Sequence, residues 1–425
     1  MHTPEILEVL AGVMLLYGIV AKRLDSMWIS APVIFVACGV LLGIGTSGAD
    51  HPTVSTEWVK IATELTLAVL LFADASTIRI RDAEKGIGIP ARLLGLGLPL
   101  TAAAGTAVAL LILPGLGWAQ CALLACILAP TDAALGLAVV TNPVVPSRIR
   151  RSLNIESGLN DGLTAPFVTL FLAITIAEQA HGAHTHVLTS ALAVFGGGGL
   201  GIAIGGSVGW LSRFTSARGW MSGTSAQLVV LATPLFCYAV ALAVGANGFV
   251  AAYICGFAFG EASRRQFLEA EGFTESVGLY ASFIVWAIFG ELFVYPELRL
   301  GFAARPILYA VLSLTVIRMV PVAISMLGAR LKPVTVAFMG WFGPRGLASV
   351  VFTLLAIESL PGHAALPELG QVATWTILLS VVLHGFTATP LAARYGRRIA
   401  GMGDGLVEME DTGATIQFRR RSLTR

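Results

Sequence analysis

Apolar stretches of roughly 20 residues, the length that crosses a bilayer, recur along the whole chain between short polar interruptions. The pattern predicts thirteen helices, at about 4–21, 30–46, 58–78, 88–113, 118–141, 152–178, 187–212, 226–244, 247–261, 274–294, 304–329, 334–357 and 369–393. The pair around Gly245-Ala246-Asn247-Gly248 reads alternatively as one kinked segment. Charge between the spans alternates. Lys22 and Arg23 follow span one, Arg79, Arg81 and Lys85 span three, Arg148, Arg150 and Arg151 span five, and Arg213 and Arg218 span seven. Arg264 and Arg265 follow span nine, Arg330 and Lys332 span eleven, and Arg394, Arg397 and Arg398 close span thirteen. On the other side only Lys60, Arg299 and Arg305 are basic. Positive charge collects on the cytoplasmic side, so the N-terminus is expected outside and the C-terminus in the cytoplasm of a cell (inner) membrane. Glu5 and Glu8, with no basic leader, suggest that span one is not a cleaved signal. The tail, 396–425, is short and polar, ends in RRRSLTR, and is expected to be disordered near anionic lipid.

Composition agrees: 56% of the 425 residues are hydrophobic and 12% charged, with mean hydropathy +0.81. Soluble domains carry about 25% charged residues, so that class is excluded and a polytopic membrane protein is implied. The net charge of +2 says little, because the distribution of charge matters more than its sum; no nucleic-acid partner is expected. Cys38, Cys121, Cys126, Cys237 and Cys255 sit in apolar stretches without metal-type spacing and read as packing residues.

An odd span count fits two inverted six-helix repeats, 1–6 and 8–13, joined by a central helix, an architecture used by secondary transporters. Spans five and twelve occupy equivalent positions, and both are interrupted. The first breaks at Ala129-Pro130-Thr131-Asp132, the second at Gly340-Trp341-Phe342-Gly343-Pro344-Arg345-Gly346. Pro removes a donor and Gly loosens the chain, so each break frees carbonyls and half-helix ends.

Five ionisable residues lie near mid-span: Asp132, Glu156, Asp161, Arg318 and Arg345. A charge at bilayer depth marks a functional site unless it is paired. In span six, NIESGLNDG (154–162) stacks Glu156 with Asn160 on one helical stripe and Ser157 with Asp161 on the next. Arg318 cannot deprotonate and needs a buried acid, for which Glu156 is expected. Arg345 either steadies the crossing helices or lines the cytoplasmic mouth. Three acids against two arginines leave one negative charge, a seat that one proton or one monovalent cation fills in turn. Hard cations prefer oxygen. The candidate ligands are Asp161, Asp132, Ser157, the Asn160 amide oxygen and a carbonyl at Thr131, with Asn160 alternatively a brace for Asp132.

Thr131-Asp132, Glu156–Gly162 (ESGLNDG), Arg318 and Gly343–Gly346 (GPRG) together resemble the NhaP-type sodium/proton antiporters of the monovalent cation:proton antiporter superfamily. The resemblance covers roughly 4–395. It implies an all-α antiporter fold with discontinuous crossing helices. It further implies a homodimer in which a core (about 88–178 and 304–393) moves against a dimerisation domain (about 1–78 and 187–294). It implies no cofactor beyond transported Na⁺ and H⁺, and electroneutral one-for-one exchange serving pH homeostasis for members with Asn-Asp. By the resemblance Asp161 takes the ion and the proton, Na⁺ rests at Asp161, Thr131 and Ser157 with Asp132 and Asn160 beside it, and Glu156–Arg318 is a supporting pair. Span three departs from the pattern: it reads LLFADASTIRI, and any role for Asp74 is left open.

Other features weigh less. Glu64 needs a partner that the sequence does not identify. His181, His184 and His186 read as a solvated external loop. Gly197, Gly201, Gly205 and Gly209, four apart, form a ridge suited to a dimer interface, a hinge or simple packing. Competing functions fare worse. An intramembrane aspartyl protease lacks its signatures around Asp132 and Asp161. A serine hydrolase built on Ser157 has no base, His384 being placed near the cytoplasmic end of span thirteen, and no enzyme is expected. A channel does not need two broken helices. A K⁺/H⁺ antiporter or a cation symporter of the same fold is the nearest alternative.

Overall fold

A computed structural model describes residues 3–26, 29–46, 56–77, 88–132, 135–180, 183–360, 366–403 and 405–410. Arg79, Arg81, Lys85, His181 and the RRRSLTR end lie outside the described residues, as do the side chains of His184 and His186. The described residues form helices and no strand. In chain order these are α1 (Thr3–Ser26), α2 (Ala31–Thr46), α3 (Thr56–Thr77), α4 (Gly88–Ile112), α5a (Trp118–Ile127), α5b (Leu137–Val140), α6 (Ser147–Ala180) and α7 (Ala183–Ala217). There follow α8 (Gly223–Ala243), α9 (Gly248–Ala262), α10 (Leu268–Leu300), α11a (Ala304–Leu314), α11b (Val316–Ser325), α12a (Pro333–Trp341), α12b (Leu347–Ser359) and α13 (Leu366–Ala400).

All thirteen expected spans are helical, five and twelve in two pieces as the Pro and Gly positions require. Among the described residues, seven helices are long and apolar enough to cross a membrane alone, and four shorter apolar helices accompany them. This is a multi-pass membrane protein. The doubtful pair α8 and α9 is two helices. Gly245 takes φ +74, and the Asn247 side chain accepts from the Val250 amide at 3.0 Å, capping α9. One discontinuity was not expected: span eleven breaks at Thr315 (φ −113, ψ −93), next to the Ser313 carbonyl, which accepts from Arg345.

Close backbone packing explains the glycines. A Cβ on Gly197, Gly201, Gly205 or Gly209 would lie 2.5, 2.6, 2.2 and 2.8 Å from carbonyl oxygens of Asn247, Ala251, Cys255 and Phe259. The ridge on α7 is therefore the seam against α9 of the same chain. On another face of α9, Gly256 and Gly260 meet the Phe72 and Ser76 carbonyls of α3, at 2.4 and 2.6 Å from the same ideal position. Lipid tails are as apolar as side chains, so burial gives little drive between membrane helices. Dispersion at short separation has to hold them together, and only Gly permits that separation. Glu64 finds its partner here: the Tyr238 hydroxyl of α8 donates to its carboxylate at 2.8 Å.

The tail departs from expectation over its first part. α13 continues to Ala400, and residues 405–410 fold back under the bundle. The Glu408 carboxylate is buried and accepts from the Lys332 amide (2.7 Å) and the Thr335 hydroxyl (2.8 Å), capping α12a. Arg148, in the first turn of α6, donates to the Val407 carbonyl at 2.8 Å and pairs with Glu410.

Candidate ion site at the helix crossing

The two broken helices cap each other. α5a ends at Ile127 and leaves carbonyls without helical donors. Ser349 of α12b donates to the Ile127 carbonyl at 2.7 Å. The Arg345 guanidinium donates to the carbonyls of Ala129 (2.8 Å), Pro130 (3.4 Å) and, in α11a, Ser313 (3.3 Å). In return, Asp132 accepts from the Leu347 amide at the start of α12b (3.0 Å) and from Leu135 (2.9 Å), while its own amide donates to the Pro344 carbonyl at 2.7 Å. A cation thus sits at a helix C-terminus and an anion at a helix N-terminus, each favoured by the helix dipole. Arg345 is fully buried, which places it as a clamp of the crossing and not at a cytoplasmic mouth.

The glycines of GPRG make these contacts possible. A Cβ on Gly346 would lie 2.0 Å from an Asp132 carboxylate oxygen, and one on Gly343 would lie 2.4 Å from Nε of Arg318.

α6 crosses beside the break, and its two polar stripes part company. Glu156 and Asn160 are buried, 2% and 1% exposed, while Ser157 and Asp161 are half-buried. Glu156 pairs with Arg318 of α11b at 2.5 Å. Asn160 donates to the Thr131 hydroxyl at 2.6 Å, which also lies 3.1 Å from the Ser157 hydroxyl. Asn160 therefore braces Thr131, and the alternative of bracing Asp132 is not what the structure contains. Backbone amides hold Asp132, because the crossing brings the start of α12b to its carboxylate.

Among the described residues, the Asp161 carboxylate has no hydrogen-bond or ion-pair partner. Asp132 and Asp74 lie within electrostatic reach of it. Tyr253 of α9 rests on this part of α6. Its hydroxyl donates to the Leu159 carbonyl at 3.2 Å, and its ring fills the space a Cβ on Gly162 would take, 2.3 Å away. Asp74 of α3, left open by the sequence, lies within electrostatic reach of both Tyr253 and Asp161. Four arguments of the site were not foreseen: Ser349, Tyr253, Ser380 and His384. Only the last two carried a signal, polar residues four apart within an apolar helix. His384 is buried within α13, which continues beyond the expected span to Ala400.

A family profile described as sodium/hydrogen exchanger, transmembrane, matches residues 11–394. The K(+)/H(+) antiporter NhaP of Alkalimonas amylolytica is 27% identical over 392 residues, covering 90% of this chain and 65% of that protein. The K(+)/H(+) antiporter NhaP2 of Shewanella sp. (strain ANA-3) is 25% identical over 394 residues, with the same coverage. The chain thus spans 65% of the length of both relatives. A structure of the sodium proton antiporter MjNhaP1 from Methanocaldococcus jannaschii at pH 8 superposes with a TM-score of 0.72 at 19% identity, covering 93% of this chain and 100% of that one. The shared fold is the one expected from the sequence: inverted six-helix repeats whose broken helices cross.

Proposed function

The chain belongs to the sodium/hydrogen exchanger family, and we propose that it exchanges a monovalent cation, Na⁺ or Li⁺, for a proton across the membrane by alternating access. One contrast among the three mid-span acids at the crossing carries this reading. Glu156 is committed to Arg318 and Asp132 to two amides, whereas the Asp161 carboxylate is uncommitted and half-buried. A carboxylate so placed takes either a proton or a cation. Ser157 and Thr131, already within 3.1 Å of each other, supply neutral oxygens for a hard ion beside it. Asn160 orients Thr131, while Glu156–Arg318 and Arg345 support the crossing.

Competition for one seat makes the exchange one-for-one and electroneutral. The bound forms are both neutral at Asp161, and the empty ionised form is costly to move through the bilayer. The moving body is the core at about 88–178 and 304–393, working against helices 1–78 and 187–294 in a homodimer, with the N-terminus outside and the C-terminus in the cytoplasm. K⁺ is the second reading, supported by the names of both bacterial relatives.

Proteoliposomes with an internal pH dye test this directly. Na⁺, Li⁺ or K⁺ gradients are expected to drive proton movement in wild type and not in Asp161→Asn. The apparent cation KM is expected to rise in proportion to proton concentration on the acid side. Unchanged exchange by Asp161→Asn defeats the site assignment. Flux indifferent to every alkali cation defeats the antiport, and dependence on membrane potential defeats the stoichiometry.

A further inference from the structure

Each broken helix is attended by the helix that ends its own repeat, α5 by α6 and α12 by α13. On α6 the polar pair is Ser157 and Asp161; on α13 it is Ser380 and His384, with the same spacing of four. The second pair has its own geometry. The Ser380 hydroxyl accepts from the Arg345 amide at 2.6 Å, at the α12b side of the break. Nε2 of His384 lies 2.8 Å from the Trp341 carbonyl, the last of α12a. Nδ1 lies 3.3 Å from the Ser380 hydroxyl and 2.9 Å from the Ser380 carbonyl. With the proton on Nε2, the ring donates to Trp341 and Nδ1 accepts from the Ser380 hydroxyl, the Ser380 carbonyl being left as a second acceptor beside Nδ1. A continuous chain of hydrogen bonds then runs from one lip of the break to the other. Both residues are buried, 0% and 1% exposed, and the imidazole lies against the Trp341 indole at a centroid distance of 5.3 Å.

We propose that His384 and Ser380 are positioning residues for ion exchange, setting the separation of the two lips of the α12 break and thereby the geometry of the Thr131–Asp132 segment. The inference rests on the exchange reading above. Backbone that leaves the helix at membrane depth needs partners within the protein. The residues so held are the ones that reach the ion site. Arg345 is fixed at its amide by Ser380 and with its guanidinium holds the Ala129 and Pro130 carbonyls, which immediately precede Thr131. Two residues further on, the Leu347 amide holds the Asp132 carboxylate. Slack at His384 is passed through these contacts to the oxygens beside Asp161.

The test compares wild type with His384→Leu, His384→Gln and Ser380→Ala in the same proteoliposomes, reading apparent Na⁺ KM and maximal rate separately. Na⁺-induced thermal stabilisation of the purified proteins gives a readout free of transport. Losing one buried hydrogen bond of this kind is expected to raise KM about tenfold in His384→Leu and Ser380→Ala. Maximal rate is expected to stay within about twofold, since Asp161 is untouched. The Gln amide N–H replaces Nε2–H, so His384→Gln is expected to return KM to near the wild-type value and to restore stabilisation by Na⁺. Wild-type KM in both His384→Leu and Ser380→Ala overturns the proposal, as does His384→Gln performing no better than His384→Leu. If His384→Leu does not fold, Ser380→Ala and His384→Gln decide by the same criteria. Wild type without cation-driven flux counts instead against the exchange reading, and is seen before any variant is compared.

Discussion

Removing the acid from the Glu156–Arg318 pair isolates the electrostatics of the crossing. Glu156 is 2% and Arg318 1% exposed, and they meet at 2.5 Å, so neither charge has bulk water to fall back on. Glu156→Gln keeps the shape and leaves a guanidinium that cannot deprotonate. Breaking a buried pair from one side costs about 3–5 kcal/mol, whereas replacing both partners with apolar residues of similar volume is often neutral or better. Against a total stability of about 5–15 kcal/mol, the single change takes a large share. Glu156→Gln is therefore expected to lower the melting temperature in detergent markedly. Glu156→Leu combined with Arg318→Met is expected to recover most of that loss, a coupling of about 3 kcal/mol. Since Asp161, Ser157 and Thr131 are untouched, the double variant is also expected to retain measurable cation-dependent proton flux. Thermal melts followed by monodispersity, with dye-based flux on the surviving protein, make the measurement. A Glu156→Gln protein that melts with wild type, or a double variant no more stable than the single, refutes the reasoning.

Gly346→Ala forces a Cβ to within 2.0 Å of an Asp132 carboxylate oxygen. Proton flux is expected to be lost while the protein remains monodisperse, and flux equal to wild type counts against the reciprocal capping. Glu408→Gln weakens the cap on α12a by about 1 kcal/mol. Limited proteolysis is expected to cut near 405–410 faster, and an unchanged rate refutes the docked tail. Gly205→Leu drives a side chain into the Cys255 carbonyl, 2.2 Å from its Cβ. The α7–α9 seam is expected to open, with loss of expression or a large fall in melting temperature. A wild-type melt places the ridge elsewhere.

Much of the architecture was legible in the chain because the bilayer imposes it. Span length follows from hydrocarbon thickness, and all backbone groups in lipid must bond internally, so apolar runs of the right length become helices whatever their neighbours. The breaks in spans five and twelve could be read from Pro and Gly. The break at Thr315 could not, because the partner of the Ser313 carbonyl beside it is Arg345, 32 residues further along the chain. The tail shows the same limit, since its polar composition suits disorder until Lys332, Thr335 and Arg148 are brought beneath it.

Helical periodicity alone determined that Glu156 and Asn160 form one stripe of α6 and Ser157 and Asp161 the next. Which stripe faces the protein and which stays partly open is a matter of how α6 is rolled against α5 and α11, and that is set by contacts distant in sequence. The same holds for the acids. Composition shows three carboxylates and two arginines at membrane depth, yet their chemistry differs by partner: an arginine for Glu156, two amides for Asp132, and no partner among the described residues for Asp161. A residue's type is local, but the free energy of its charge is set by what the fold brings within 3 Å of it, and that only the tertiary structure decided.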